Sequence, residues 1–258
     1  MSGTDLDPRH DAWARMRAVT PARIGLGFTG ISQPTRTVLR FTADHAVARD
    51  AVRSPLDVDS LGAQLREIGI GPATHVRSRA STRSEYLRRP DLGRVPAVDS
   101  AVAHSGADVG VVIADGLSAR AVQQHSVPFL RALISTLGDR YRFAPPVVAT
   151  QARVALGDHV GQALGVETVL VLIGERPGLT VAESMGIYLT HHPYPGRRDA
   201  ERNCVSNIHR PGGLSHTDAA DVCAALIDGA RRLGRSGVDL KDVSRDTRLA
   251  ARDRRELP

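Results

Sequence analysis

The segment that most constrains the fold is the apolar run from Thr168 to Ile173, which ends in the turn Gly174-Glu175-Arg176-Pro177-Gly178. Every residue of the run is β-branched or leucine, and no polar residues alternate with the apolar ones. This pattern is typical of a central strand in a parallel sheet that helices cover on both faces. Because open parallel sheets bind ligands beyond the carboxyl ends of their strands, we predict a functional site at this turn.

Strand and helix patterns alternate along the chain from residue 108 onward. The predicted strands are 108–114, 147–150, 168–173 and 185–189, and the predicted helices are 117–137, 157–164 and 217–233. Pro128 is expected to interrupt or restart the first of these helices. Ser215 and Asp218 have the spacing of a capping box before the last helix, and Gly234 follows its end. The alternation predicts an α/β fold with a doubly wound, mostly parallel, Rossmann-like sheet.

The first 100 residues carry helical patterns instead. In the helix predicted from Thr35 to Val52, apolar residues recur at helical spacing, and His45 on the same stripe is expected to be a buried core histidine. A second helix is predicted over 57–68, and residues 72–100 are expected to be a linking region. We therefore predict a small α-helical N-terminal domain in residues 1–100, followed in 101–258 by an α/β domain that ends in a charged, solvated tail after Val238.

Composition excludes several classes of protein. The net charge is +6 and comes almost entirely from arginine, since Lys241 is the only lysine, but the arginines form no long basic run. Aromatic residues make up only 3%, so platforms for base stacking are scarce and we expect no nucleic-acid binding. No apolar run reaches the roughly 20 residues that a membrane-spanning helix needs. With only Cys204 and Cys223 and no apolar leader, the chain is expected in the reducing cytoplasm.

One motif suggests a nucleotide site but lacks the required context. Gly25-x-Gly27-x-x-Gly30 formally matches the dinucleotide fingerprint, which needs a strand before it and a helix directly after it. Pro21 precedes this motif and Pro34 follows it, so an exposed loop suited to docking a partner is the better interpretation. The chain also lacks a GxSxG elbow, a P-loop and an HExxH motif, so nothing supports a common hydrolase or a nucleotide hydrolase.

Three turns are expected to share the carboxyl edge of the sheet: Asp115-Gly116, Ala152-Arg153-Val154 and Gly174-Glu175-Arg176. The segment 199–209 follows the next strand and is expected to fold over them. There Glu175 could act as a base, as a hydrogen-bond acceptor or in an ion pair with an arginine, and the ion pair is the commonest of these roles.

The two cysteines have different expectations. Cys204 lies five residues before His209, with His191 and His192 upstream, but this spacing is not specific for a metal site, and we predict none. The alternative for Cys204 is a small buried apolar residue. Cys223 lies on the inner stripe of the last helix and is expected to be buried.

Five segments in this order resemble the small (light) subunit of ethanolamine ammonia-lyase: ARIGLGFTG, HAVARDAV, VVIADGLS, LIGERPGL and DAERNCVSNIH. The resemblance extends from about residue 22 to residue 237. It implies an adenosylcobalamin-dependent lyase that converts ethanolamine into acetaldehyde and ammonia. It also implies a hetero-oligomer in which a TIM-barrel large subunit holds the substrate and most catalytic groups, while the small subunit closes over the cobalamin.

Matched position by position, the resemblance implies that Val154, Glu175 and Cys204 contact the cobalamin. It places no catalytic residue in this chain and no metal other than the cobalt of the cofactor. Ala152 departs from the family pattern, in which a glycine is common. The chain has no D-x-H-x-x-G loop, so we expect dimethylbenzimidazole to stay bound to cobalt. The complex would be cytoplasmic or enclosed in a bacterial microcompartment; the alternative is a stand-alone corrinoid- or nucleotide-binding module without catalysis.

Overall fold

The computed structural model describes residues 12–20, 22–28 and 30–244. Within these residues the chain forms seven α-helices and six strands. The helices are α1 (Ala12–Ala18), α2 (Thr35–Arg53), α3 (Val58–Arg66), α4 (Arg83–Arg88), α5 (Ala119–Leu137), α6 (Leu156–Leu164) and α7 (His216–Leu233). The strands are β1 (Thr74–Arg77), β2 (Val109–Ala114), β3 (Val147–Thr150), β4 (Thr168–Gly174), β5 (Met185–His191) and β6 (Asn203–Ile208).

All six strands belong to one sheet in the order β1-β3-β2-β4-β5-β6. The four strands from β1 to β4 run parallel, whereas β5 pairs antiparallel with β4 and β6 pairs antiparallel with β5. The α/β class and the mostly parallel sheet are therefore confirmed. The Rossmann-like arrangement, the helical N-terminal domain and the domain boundary near residue 100 stay predictions.

Two strands were not predicted, and both form edges of the sheet. β1 lies in the segment 72–100 that the sequence indicated as a linking region, and only Val76 of its four residues is buried. β6 lies in the segment that was expected to fold over the turns, and it alternates buried and exposed residues irregularly. Short, partly polar edge strands give little apolar pattern, which explains why the sequence did not indicate them.

Each face of the sheet carries its own hydrophobic core. In β2, Val111 and Ile113 belong to the core formed with α3, α5 and α7, whereas Val112 and Ala114 belong to the core formed with α6. This alternation is the period-2 geometry of a strand buried on both sides. α6 approaches the sheet closely, because an ideal Cβ on Gly157 would lie only 2.2 Å from a methyl group of Val171.

The helix α5 is continuous through Pro128, so the expected interruption was wrong. Proline removes one backbone hydrogen bond and typically costs a helix interior about 3 kcal/mol. The buried side chains on both sides of it, including Val127, Phe129 and Leu130, pack into the core and hold the helix together. Tertiary packing therefore outweighs the local penalty.

The C-terminal helix α7 has the predicted caps. The Ser215 hydroxyl accepts a hydrogen bond from the Asp218 amide at 3.1 Å, and Gly234 ends the helix with a φ of 72°. Beyond it, the expectation of a solvated tail holds only in part: Asp239 and residues 241–243 are exposed, but Leu240 and Ser244 are buried. Leu240 is buried, and the Asn203 side-chain amide donates to the carbonyl groups of Gly237 and Leu240. Residues 245–258 lie outside the described residues.

The helix α2 agrees with its predicted bounds, but its apolar stripe is largely uncovered. Its buried residues are Ala48 and Ala51, whereas Val38 and Phe41 are exposed. His45 is also exposed and stacks on the Phe41 ring with a centroid distance of 6.4 Å, so the expectation of a buried core histidine was wrong.

Candidate functional site

The turns after β2, β3 and β4 meet at one edge of the sheet, as the sequence predicts. The Asp115 carboxylate accepts hydrogen bonds from the backbone amides of Gln151 at 2.8 Å and Ala152 at 3.0 Å. The Leu117 amide donates to the Gly174 carbonyl at 2.9 Å. The turn after β2 is therefore hydrogen-bonded to both of its neighbours, which fixes the relative positions of all three.

Two glycines allow this close approach. Gly116 has a φ of 52°, and an ideal Cβ on it would lie 2.3 Å from the Gly174 carbonyl oxygen. An ideal Cβ on Gly174 would lie 2.0 Å from the Ser118 carbonyl oxygen. Since side chains at either position would clash with backbone, the glycine in each turn is a packing requirement.

Asp115 is buried beneath this edge of the sheet and holds the turns together, but it is not exposed at the edge. Its carboxylate is buried and lies 3.2 Å from Arg83 Nη1, while Arg83 Nε donates to the Val52 carbonyl at 2.8 Å. Burial raises the pKa of Asp115, and the Arg83 guanidinium and the backbone donors oppose that shift. Through Arg83, the turns at the sheet edge are connected to the end of α2.

Glu175 follows β4 directly and extends toward the two antiparallel strands. Its carboxylate accepts hydrogen bonds from the Ser184 hydroxyl and, at 3.4 Å, from the backbone amide of Asn207. Among the described residues it forms no ion pair, so the commonest role expected for it, an ion pair with an arginine, was wrong. A carboxylate can accept about four hydrogen bonds, so Glu175 keeps capacity for further donors.

Cys204 lies on β6 directly opposite Tyr188 of β5. It is exposed, which excludes the alternative of a buried apolar residue, whereas Cys223 is buried as expected. Desolvation raises the pKa of the Cys204 thiol, hydrogen bonding to Tyr188 lowers it, and the negative charge of Glu175 raises it further. These couplings place Cys204 in the same electrostatic environment as Glu175.

Tyr188 lies between Cys204 and Glu175 and was not predicted as a site residue from the sequence. Desolvation, followed by its interactions with Cys204 and then by the charge of Glu175, raises the pKa of Tyr188 to about 12. The ring is half-buried and packs against the core on the α6 side of the sheet. The alternation within β5, where Ile187 and Leu189 point to the opposite core, is the sequence signal that could have identified it.

Val154 lies in the turn between β3 and α6. Its half-buried side chain packs against the same core as Tyr188 and is therefore on the same side of the sheet. The structure thus brings Glu175 and Cys204 together around Tyr188 and places Val154 on the same face. We call these four residues the rim cluster.

A buried ion pair connects the elements that carry the rim cluster. Arg202 Nη1 and Nη2 lie 2.6 Å and 2.7 Å from the two carboxylate oxygens of Asp158, and Nη1 also donates to the Thr190 hydroxyl at 2.9 Å. Both charged side chains are only 1% exposed. This bidentate pair joins α6 to the start of β6 across β5, and nothing in the charged sequence around Arg202 indicated that it is buried.

Two further structural findings concern metals and membranes. Among the described residues, no group of three or more histidine, cysteine, aspartate or glutamate side chains is arranged to hold a metal ion. None of the helices in the described part of the chain is long and apolar enough to cross a membrane.

Comparison with known proteins identifies the family. Residues 10–241 match the model of the ethanolamine ammonia-lyase light chain family. Similar proteins include the ethanolamine ammonia-lyase small subunits of Rhodococcus erythropolis, 57% identical with 96% of each chain covered, and of Bradyrhizobium diazoefficiens, 49% identical with 90% of each covered. The small subunit from Xanthomonas campestris pv. campestris is 46% identical over 93% of this chain and 90% of its own. On this evidence, the chain belongs to the ethanolamine ammonia-lyase light chain family.

Proposed function

We propose that this chain forms one wall of an adenosylcobalamin site in an ethanolamine ammonia-lyase complex. The rim cluster would contact the cofactor through Val154, Glu175 and Cys204, as the family resemblance implies. The large subunit, a TIM barrel, would enclose the cofactor from the other side and hold ethanolamine. The observation that carries the proposal is the convergence of Glu175, Tyr188 and Cys204 on the sheet face that also carries Val154.

The chemistry of the rim cluster fits a corrin. A corrin ring is wide and weakly polar, and its peripheral amide groups donate hydrogen bonds. Val154 and the Tyr188 ring offer partly exposed apolar surface on the same side of the sheet. Glu175 keeps acceptor capacity for an amide, and Cys204 is an exposed, small side chain that permits close approach.

The task of this chain is then binding and enclosure. When bound, adenosylcobalamin supplies the cobalt–carbon bond whose homolysis starts the reaction. Glu175, fixed by Ser184 and Asn207, would orient the corrin through a peripheral amide. Val154 and Tyr188 would exclude water from the covered face. No residue of this chain is assigned to a step of the ethanolamine chemistry.

The name of the relatives implies a large-subunit partner, so the complex is a hetero-oligomer. The free Cys204 and Cys223 fit the reducing cytoplasm, with the complex either dispersed there or enclosed in a bacterial microcompartment. The stand-alone corrinoid-binding alternative differs measurably, because that protein would bind cobalamin tightly without a large subunit.

The test substitutes Glu175→Gln in the complex with its large subunit and measures the Kd for adenosylcobalamin by titration. Glutamine retains one acceptor oxygen and cannot serve both present donors and a corrin amide. Losing one hydrogen bond of ~1 kcal/mol raises the Kd about fivefold.

The matched control is Glu167→Gln, because Glu167 directly precedes the other end of β4 and pairs with Arg231 at 2.8 Å. Its Kd for cobalamin should equal that of the unsubstituted complex. An unchanged Kd in Glu175→Gln, with both variants equally stable, would show that Glu175 only braces Ser184 and Asn207.

A further inference from the structure

Large apolar side chains at the protein surface are concentrated near the N-terminus. We use the term α1–α2 surface for the exposed apolar residues Trp13, Met16, Val19, Leu26, Phe28, Ile31, Val38, Leu39, Phe41 and Val47. Ile31 is fully exposed, Phe28 is 78% exposed and Leu39 is 64% exposed. Exposed large apolar side chains that are concentrated in one part of a chain are typical of an interaction site.

Specific contacts hold this surface in place. An ideal Cβ on Gly25 would lie 2.4 Å from the Trp13 ring, so α1 packs directly on the glycine-containing loop. Arg17 donates to the Gly25 carbonyl, and Arg23 pairs with Asp44 of α2 at 2.6 Å. The loop, α1 and α2 therefore form a preorganised surface, which reduces the entropy lost on binding.

The α1–α2 surface is continuous with the segment that follows Glu175. Arg23 Nη2 donates to the Leu179 carbonyl at 3.0 Å, four residues beyond Glu175. A cleft of about 900 Å³ lies between α2 and this segment, and Leu179 and Thr180 line one side of it. A protein that covers the Glu175 turn would extend without a break onto α2.

Charge indicates the chemistry of the partner. Arg36 and Arg40 line the same cleft one helical turn apart on α2. Neither has an ion-pair partner among the described residues, although many other arginines of the chain do. Two unpaired guanidinium groups beside Phe41 and Leu26 fit a partner surface with an apolar centre and carboxylates at its rim.

We propose that the α1–α2 surface is the docking site for the large subunit. This inference rests on the proposed function in one respect: a cofactor shared at the Glu175 turn places the large subunit beside that turn. The exposed stripe of α2 is then completed by the partner, which explains why Val38 and Phe41 follow a buried pattern in the sequence but lie at the surface.

The first test compares hydrogen–deuterium exchange of the free small subunit with that of the complex. Amides of α2 between Thr35 and Val47 should become protected when the large subunit binds, whereas those at the end of α7 should not change. Protection at the end of α7 with none in α2 would overturn the proposal. This measurement needs no substitution and so avoids misfolded variants.

The second test measures the Kd between the subunits for Leu39→Arg with Ile31→Arg. We expect it to rise at least tenfold, as for apolar residues at the centre of an interface. The matched control is Leu233→Arg, an exposed leucine at the end of α7, near Arg231 and the N-terminal end of β4. Its Kd should stay within twofold of the original, and equal values for both variants would contradict the proposal.

Two other outcomes separate the alternatives. If the double substitution reduces self-association of the small subunit but leaves the Kd for the large subunit unchanged, the surface joins copies of this chain and the proposal is wrong. If the substitution prevents assembly while Glu175→Gln leaves cobalamin affinity unchanged in the intact complex, the docking site stands and the cofactor wall fails.

Charge reversal with Arg36→Glu and Arg40→Glu should also raise the Kd between the subunits. No increase would contradict the proposal that the partner surface has carboxylates at its rim.

Discussion

Cys204 and Tyr188 face each other on neighbouring strands, and each affects the ionisation of the other. Because Tyr188 lowers the pKa of the thiol, Tyr188→Phe should move the pH midpoint of Cys204 alkylation upward. Glu175→Gln should move it downward, since the carboxylate raises that pKa. Alkylation by iodoacetamide, followed by mass spectrometry from pH 7 to 10, measures both shifts. Buried Cys223 should stay unmodified and serves as the internal control. Shifts in the same direction would contradict this account.

His191 is the clearest source of pH dependence in the fold. It is buried on β5, its Nδ1 lies 2.8 Å from the Thr168 hydroxyl, and burial followed by nearby positive charges lowers its pKa to about 4. The unfolded value is about 6.5, so the folded state binds fewer protons between these two values. The contribution of neutral His191 to the stability of the fold is complete above about pH 6.5 and is lost as the pH falls toward 4.

His191→Gln should therefore reduce the loss of stability on acidification. Glutamine can still bond to Thr168, and it does not acquire a charge. Urea unfolding at intervals between pH 7.5 and 4.5 measures the effect as a smaller slope of the unfolding free energy against pH. Identical slopes in both proteins would show that other groups cause the acid sensitivity.

At the residue scale, the sequence indicated where a site residue lies in the fold better than it indicated that residue's hydrogen-bond partners. The position of Glu175 at a strand end followed from the apolar run before it, and the strand pairing bears this out. Its partners Ser184 and Asn207 could not be predicted, because they come from a loop and from a strand that the pattern did not reveal. The alternation within β5 could have indicated which core Tyr188 faces, but its pairing with Cys204 depends on the strand β6, which the pattern did not reveal.

At the scale of elements, the Arg202–Asp158 pair holds α6 and β6 in register beside the rim cluster. Arg202→Met leaves a buried carboxylate without its partner, which typically costs 3–5 kcal/mol, so we expect a destabilisation of about that size. The double variant with Asp158→Asn should recover part of the loss, because no uncompensated charge remains. Chemical denaturation of Arg202→Met, Asp158→Asn and the double variant gives the coupling energy between the two side chains.

The control for this pair is Arg235→Met, which removes an exposed ion pair with Asp239. Exposed pairs contribute at most ~1 kcal/mol, so this variant should unfold close to the original midpoint. A similar loss of stability in Arg235→Met and Arg202→Met would show that burial of the Arg202 pair is unimportant.

Elements were predictable where their sequence pattern reflects burial. β2 and β4 are buried throughout, and α7 has both a clear apolar stripe and its caps, so the sequence indicated all three. The edge strand β1 pairs with β3, which is distant in sequence, and β6 is short and partly polar, so local pattern reveals neither strand. Pro128 shows the opposite case, in which a strong local signal yields to packing.

At the scale of the whole molecule, the direction of the strands determines which residues meet. Since β5 runs opposite to both of its neighbours, β5 starts beside the end of β4, and β6 ends beside the start of β5. This reversal brings Asn207 to Glu175 and places Cys204 on the neighbouring strand pair. The sequence analysis predicted a mostly parallel sheet without this change of direction, although no helix was predicted between the strands 168–173 and 185–189 and parallel strands normally need a crossover helix.

The α1–α2 surface also has a consequence for how a cell makes this protein. Newly synthesised copies that outnumber their partner would present Phe28, Ile31 and Leu39 to one another, and such chains precipitate at high concentration. With the α1–α2 surface as the docking site, balanced production of the two polypeptides would favour solubility as well as assembly. Overexpression of this chain by itself should lower its soluble yield, and supplying the second gene from the same transcript should raise it.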